Sequence, residues 1–178
     1  KTSHAVTVRI ATWSVASPIL CPTSLKLSVI NSINTEVQSE VLPIPVITID
    51  GPSGAGKGTI TLRIAKHLGW HTLDSGALYR VLAIACIHRA IPLTDATAVA
   101  SLATQINIQF EALPDLSDTR VILDGQDITL ELRTETRGQA ASQIAALPAV
   151  RQALLAKQRA FRQAPGLVAD GRDMGTII

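Results

Sequence analysis

An apolar, β-branched run that gives way to a glycine loop ending in lysine constrains this chain more than any other feature. Residues Val46 to Thr59 read Val-Ile-Thr-Ile-Asp-Gly-Pro-Ser-Gly-Ala-Gly-Lys-Gly-Thr. Gly51, Gly56 and Lys57 satisfy the pattern G-x-x-x-x-G-K, and four glycines in eight residues let the backbone wrap a polyphosphate with its N–H groups facing inward. Lys57 adds a mobile positive charge for β and γ phosphates. Glycine clusters also occur as plain turns, so the flanks decide. Pro45 punctuates the start, Val46 to Ile49 make the short continuous apolar strand of a buried parallel sheet, and the chain turns helical from Gly58 onward. Ile60, Ile64 and Leu68 recur every four residues as an apolar face, and Gly69 follows as a stop. Strand, loop and helix in that order put a phosphate at a helix N-terminus, where unpaired N–H groups and the helix dipole favour an anion. The expected loop residues are Gly51, Pro52, Ser53, Gly54, Ala55, Gly56, Lys57, Gly58 and Thr59.

The position after the lysine, usually a Ser or Thr that meets Mg²⁺, is Gly58, and the hydroxyl comes one residue later at Thr59. This Gly-Lys-Gly-Thr ending resembles the loops of nucleoside monophosphate kinases more than those of GTPases. The 178 residues, 47% hydrophobic and 17% charged, suit one globular domain. Aromatic residues are only 3%, so Ala, Val, Ile and Leu must build the core. A net charge of +2 is too mild to argue for a nucleic-acid surface. Cys21 and Cys86 are far apart without metal-type spacing and read as reduced structural thiols. No stretch approaches the roughly 18 uninterrupted apolar residues of a membrane span.

Residues 1–43 differ from the rest. They are rich in Ser and Thr, carry no acid before Glu36, and contain Pro18, Pro22 and Pro43. That composition has something of an organellar transit peptide, but the Arg-rich amphipathic pattern is absent, and a disordered or mis-assigned extension is expected. A secretory signal is disfavoured because Pro18 breaks the candidate apolar region. The expected compartment is the cytoplasm.

From residue 44 onward the chain reads as one α/β unit. Trp70 to Asp74 is expected as a strand, followed by a helix with Leu78, Val81, Leu82 and Ala85 on one face. Pro92 ends that element, and Thr94 can cap a short helix through about Leu102. Ile106 to Phe110 alternates apolar and polar residues, and Arg120 to Leu123 followed by Asp124-Gly125 predicts a hairpin, giving a small antiparallel insert. Residues 131–146 and 149–163 read as helices separated by Leu147-Pro148. Leu167 to Asp170 is a further short strand ending in an acid. Strands alternating with helices around the glycine loop imply a parallel sheet with helices on both faces.

Phosphoryl transfer needs positioned phosphates and positive charge more than a covalent catalyst, so arginines near strand ends are the residues to find. Arg80, Arg151 and Arg172 qualify by position, the last directly after a strand, although any one of them could be a solvated surface group. Asp170 and Asp173 admit two readings, as caps at a strand end or as acids that orient Mg²⁺ or its waters. An Asp can also accept from a cytosine amino group while an Arg donates to the same base. His67, His71 and His88 have no matching ligand set and no role is assigned to them.

Four ordered segments together resemble bacterial cytidylate kinase. They are Ile47 to Thr59, then Leu73-Asp74-Ser75-Gly76-Ala77-Leu78-Tyr79-Arg80, then Ala141-Ser142-Gln143, and finally Ala169-Asp170-Gly171-Arg172-Asp173-Met174-Gly175-Thr176. The resemblance covers residues 44–178 and implies a P-loop nucleoside monophosphate kinase fold with an acceptor-binding insert at about 105–165. It implies transfer of a phosphoryl group from MgATP to CMP or dCMP, with ATP and Mg²⁺ as cofactors and no metal ligand assigned. Lys57 and Arg172 are then catalytic. Ser75, Arg80 and Arg172 hold the acceptor phosphate with Tyr79 nearby, and Ser142, Arg151 and Asp173 read the cytosine. A monomer without nucleic-acid or membrane partners is expected. The family continues past Gly-Thr-Ile-Ile through another strand, an arginine-bearing lid and an adenine-binding loop, so the chain is expected to be incomplete at its C-terminus. The alternatives are a phosphate-binding fragment without turnover, and another P-loop kinase or nucleotide switch.

Overall fold

The computed structural model describes residues 6–11, 44–52, 54–112 and 119–178. Its centre is a four-stranded sheet made of Thr7–Ala11 (β1), Val46–Asp50 (β2), His71–Asp74 (β3) and Leu167–Gly171 (β7), in the order β1-β2-β7-β3. β2, β7 and β3 run parallel, with Val46 and His71 both opposite Leu167. All five residues of β7 are buried, as expected of a central strand covered on both faces. The parallel register brings Asp50 opposite Gly171 and Asp74 opposite Asp170, so three strands release their chains at one edge.

β1 runs antiparallel to β2, from Thr7 opposite Asp50 to Ala11 opposite Val46. Over these residues the structure differs from the expected 1–43 extension. Val6-Thr7-Val8-Arg9-Ile10 is largely β-branched, and the outer edge of β2 offers it a row of backbone partners. Cys21, Pro18, Pro22 and Pro43 lie outside the described residues.

The helices are Lys57–Leu68 (α1), Ser75–His88 (α2), Ala96–Gln105 (α3), Thr129–Leu132 (α4), Glu135–Ala145 (α5) and Pro148–Ala160 (α6). Pro148 occupies the first turn of α6, where its missing N–H costs nothing. The single helix expected over 131–146 is broken at Arg133-Thr134 into α4 and α5. α3 is capped by Asp95 and not by Thr94: Asp95 Oδ1 accepts from the Ala98 N–H at 2.9 Å. α1 ends at Gly69, whose left-handed φ of 66° lets its N–H reach the Ala65 carbonyl.

The buried face of α1 is not the expected stripe. Thr61 and Ala65 are buried, whereas Ile60 and Leu68 are 38% and 40% exposed. The short loop from β2 holds α1 close over β7, and Ala65 packs with Ile47, Ile49 and Val168 while Ile64 is only partly covered. α2 is buried almost all round, its Val81, Leu82, Ile84 and Cys86 meeting α3, α5 and α6 in one aliphatic cluster. Burial pushes the Cys86 thiol above its ordinary value, in keeping with an inert structural role.

The insert is a second sheet of Ile108–Ala112 (β4), Thr119–Leu123 (β5) and Gln126–Asp127 (β6). At the β5–β6 turn Asp124 and Gly125 have φ of 49° and 86°, the paired left-handed conformations of a two-residue hairpin. Arg120 bridges Asp127 at 2.8 Å and Glu111 at 3.6 Å across this sheet. The Phe110 and Phe161 rings meet edge to face at 5.7 Å, joining the insert to the C-terminal end of α6.

Candidate functional site

Each of the three parallel strands carries an aspartate at its end, and each aspartate meets a different environment. Asp50 Oδ1 accepts from the Met174 N–H at 2.7 Å and Oδ2 from the Gly175 N–H at 3.1 Å. Asp74 caps α2, accepting from the Ala77 N–H at 2.9 Å. Asp170 is 5% exposed, with the buried Thr61 hydroxyl of α1 beside it but short of a well-formed hydrogen bond. Burial, reinforced by Asp74, pushes the Asp170 carboxyl up to about 6, against the opposing pull of Thr61 and of the Lys57 ammonium. A carboxyl so placed beside a glycine loop is a functional candidate on physical grounds.

The loop between β2 and α1 presents a candidate anion-binding surface. Gly54 and Gly56 have φ of 76° and 79°, and a Cβ added at Gly54, Gly56 or Gly58 would meet nothing within 4 Å. Gly54 and Gly56 are glycine for their backbone conformation, and at all three positions the missing side chain leaves the loop open to the cleft. No described side chain caps the N-terminus of α1, which leaves its first N–H groups available to a ligand. Lys57 Nζ donates to the Pro52 carbonyl at 2.7 Å, folding back over its own loop. Ser53 lies outside the described residues.

The loop faces a cleft of about 720 Å³, large enough for nucleotide-sized ligands. Gly54, Gly56, Lys57, Gly58 and Thr59 line one wall, and Ser75, Tyr79, Arg80, Ser142, Arg151 and Arg172 line the others, with Asp74 and Asp170 at the strand ends. Gly51, Pro52 and Ala55 support the loop from outside that lining. Arg80 Nη1 donates to the Leu132 carbonyl at 3.3 Å, and its guanidinium lies beside Gly138, where an added Cβ would be in ordinary contact with it at 3.7 Å. Ser142 donates back to the Gly138 carbonyl at 3.0 Å. Burial raises the Tyr79 hydroxyl pKa and the Arg151 charge opposes it.

Asp173 joins the site through Arg151, whose Nη2 lies 3.4 Å from Oδ2. Both side chains are nearly half exposed, so this contact contributes well under about 1 kcal/mol and can yield to a ligand. Asp173 has φ 59°, a conformation that costs a non-glycine residue of order 1–3 kcal/mol. Its carbonyl accepts from the Ile177 and Ile178 N–H groups at 2.9 and 3.1 Å, which holds the turn.

Sequence reasoning missed Asp50, Gly171 and Gln158, whose Oε1 accepts a 2.8 Å hydrogen bond from the Ser75 hydroxyl. The repeated strand-end acid in Ile-Thr-Ile-Asp, His-Thr-Leu-Asp and Leu-Val-Ala-Asp was a usable signal for the first. Gly171 reveals itself only in three dimensions. A Cβ there would sit 2.8 Å from Ser75 Cβ and 2.9 Å from Met174 Sδ. Gly171→Ala is therefore expected to destabilise the chain by about 1–3 kcal/mol, read as a lowered urea midpoint at unchanged slope. An unchanged midpoint would show that the strand end has slack.

A second cleft of about 550 Å³ lies beyond β3, lined by Trp70, Phe110 and Phe161 among others, away from the glycine loop. Among the described residues no three His, Cys, Asp or Glu side chains converge as a closed metal site.

A family model described as cytidylate kinase matches residues 47–178. Among curated relatives, the cytidylate kinase of Proteus mirabilis is 56% identical over 135 residues, covering 76% of this chain and 59% of its own length. That of Photobacterium profundum is 58% identical over 134 residues, 75% of this chain and 58% of its own. That of Edwardsiella ictaluri is 56% identical over 135 residues, again 76% and 59%. The chain thus spans somewhat under three-fifths of the length of these relatives.

Proposed function

The chain belongs to the cytidylate kinase family, and on that footing we propose that it transfers the γ-phosphoryl group of MgATP to CMP or dCMP, giving ADP and the corresponding diphosphate. The observation that carries this reading is the cleft in which the glycine loop faces Ser75, Arg80 and Arg172. An acceptor phosphate oxygen attacks the γ-phosphorus as the bond to the β–γ bridging oxygen breaks, and ADP leaves. The acceptor phosphate is already ionised, so no strong general base is needed. Lys57 and the N–H groups of the loop neutralise the donor phosphates, and Arg80 and Arg172 neutralise the acceptor. The hydroxyl of Ser75 and the phenol of Tyr79 complete that grip.

Asp173 is the acceptor for a cytosine amino group, with Arg151 and Ser142 on the other edge of the base. Uracil carries a carbonyl in place of that amino group and would face the carboxylate with lone pairs. Asp173→Ala is expected to reduce CMP affinity by about 10-fold or more and to leave ATP affinity nearly unchanged. Equal losses for the two nucleotides in a titration would reject this role.

The buried Asp170 carboxylate at the strand end fits Mg²⁺, a hard cation that takes one or two carboxylates plus phosphate oxygens and keeps several waters. Bound there with ATP, the ion would neutralise the β and γ phosphates; Asp170 would hold it from the protein side.

The same reading makes the protein a cytoplasmic monomer acting on small nucleotides, without nucleic-acid or membrane partners. The net charge of +2 supports the part of this reading that concerns nucleic acid; among the described residues no helix is long and apolar enough to cross a membrane. The test is ADP release by this 178-residue chain with ATP, Mg²⁺ and each monophosphate in turn. Turnover with CMP or dCMP well above that with UMP or AMP is expected. ATP binding without turnover, or a different preferred acceptor, would overturn the proposal.

A further inference from the structure

Gln158 sits on the inner face of α6 beside Leu154 and is 1% exposed. Its Oε1 accepts a 2.8 Å hydrogen bond from the Ser75 hydroxyl, while its Nε2 is buried without a partner among the described residues. A buried amide N–H group left unpaired costs about 1–3 kcal/mol, so the arrangement is a poor one if its purpose is structural. Ser75 itself is held tightly. It opens α2, lies against the backbone of Gly171, and lines the cleft.

A serine hydroxyl has one proton. With that proton given to Gln158, Ser75 presents only lone pairs to the cleft, and these repel a phosphate. Turning the Gln158 amide by half a turn exchanges its two ends with almost no change in shape. Nε2 then donates to Ser75 Oγ, and the Ser75 proton is released toward the ligand. The carbonyl end takes the unpaired place, which proteins tolerate better than an orphaned N–H.

We propose that Gln158 is a positioning residue for the acceptor site: when a phosphate monoester binds, the Gln158 amide is turned so that Nε2 donates to Ser75 and Ser75 donates to a phosphate oxygen. This rests on the reading that places the acceptor phosphate at Ser75, Arg80 and Arg172. The result is a directed chain of donors, amide to hydroxyl to anion, in which each bond polarises the next. Such a chain favours an anion over a neutral hydroxyl at the same spot, and Gln158 does this without touching the ligand.

The test is a titration cycle on the full chain with CMP and, separately, ATP. The forms compared are the unsubstituted chain, Gln158→Met, Ser75→Ala and the double variant. Methionine fills nearly the same volume and donates nothing. Gln158→Met is expected to weaken CMP binding by about 10-fold, since the lost bond serves a charged group. ATP binding should stay within about 2-fold, and the substitution should add nothing in the Ser75→Ala background. Additive losses in the double variant, or equal losses for CMP and ATP, would make Gln158 merely structural and overturn the proposal. If Gln158→Met does not fold, the Gln158 side-chain amide proton resonances answer the same question. They should shift with CMP in the unsubstituted chain and not in Ser75→Ala, and resonances that do not respond overturn the proposal. An unsubstituted chain that binds ATP and no CMP overturns the functional reading and this inference together; intact CMP binding with an additive cycle overturns this inference alone.

Discussion

Replacing Lys57 with alanine is expected to lower phosphoryl transfer to CMP by about 100- to 1,000-fold, the cost of removing one preorganised charge from a phosphoryl-transfer site. The fold should be unaffected. The ammonium makes its one described hydrogen bond to Pro52 in the same loop, and its pull on the buried Asp170 carboxyl is the smallest of the influences on that group. Thermal and urea midpoints of Lys57→Ala should therefore stay close to those of the unsubstituted chain, while ADP release collapses. Lys57→Arg should rescue little, because a planar guanidinium is broader than an ammonium and does not act as a compact point charge. Unchanged turnover in Lys57→Ala would remove the glycine loop from the chemistry.

The second large effect belongs to Asp170. Its carboxyl ionises at about 6 in the fold against an ordinary value of 3.8, so the unfolded chain gives up this proton more readily than the folded one. Stability should fall as pH rises between about 4 and 6, and the loss should persist at neutral pH. An asparagine cannot ionise. Asp170→Asn is expected to be more stable than the unsubstituted chain by roughly 1–3 kcal/mol above pH 6, with the difference closing near pH 4, as read from urea midpoints across pH. Turnover should drop by about 100-fold or more in the same variant, because the amide cannot replace a carboxylate toward Mg²⁺. Gain of stability with loss of turnover is what a site held in a strained electrostatic state for function would show. A variant that is destabilised at neutral pH would mean that the buried carboxylate serves the fold instead.

Much of the architecture was legible because its signals are local. The glycine and lysine spacing marks strand, loop and helix within fourteen residues, Val46 to Thr59. Asp124-Gly125 announces a hairpin whose two left-handed residues the structure contains, and Pro148 opens α6 in the first turn. Contacts between distant segments were not legible. Which face of α1 is buried depends on how closely the loop tethers it to β7, and this favours Ala65 over Ile60 and Leu68 against simple periodicity. The pairing of β1 with β2 crosses a long stretch of chain, and Thr94 and Asp95 are neighbouring residues that both favour N-caps, with Asp the stronger. Motifs named the members of the candidate site, but the bonds that orient them join residues far apart in sequence. Asp50 meets Met174 across 124 positions, and Ser75 meets Gln158 across 83.

The hydrogen bonds accepted by Asp50 have a mechanical consequence. They fasten the end of β2, which feeds the glycine loop, to the turn that carries Arg172 and Asp173. On the proposed reading, donor cradle and acceptor grip are thereby bolted to one crossbar at the edge of the sheet. The distance a phosphoryl group would travel is then gauged by that crossbar, so that substrates would be brought to a spacing already set by the sheet and would not need to create it as they bind.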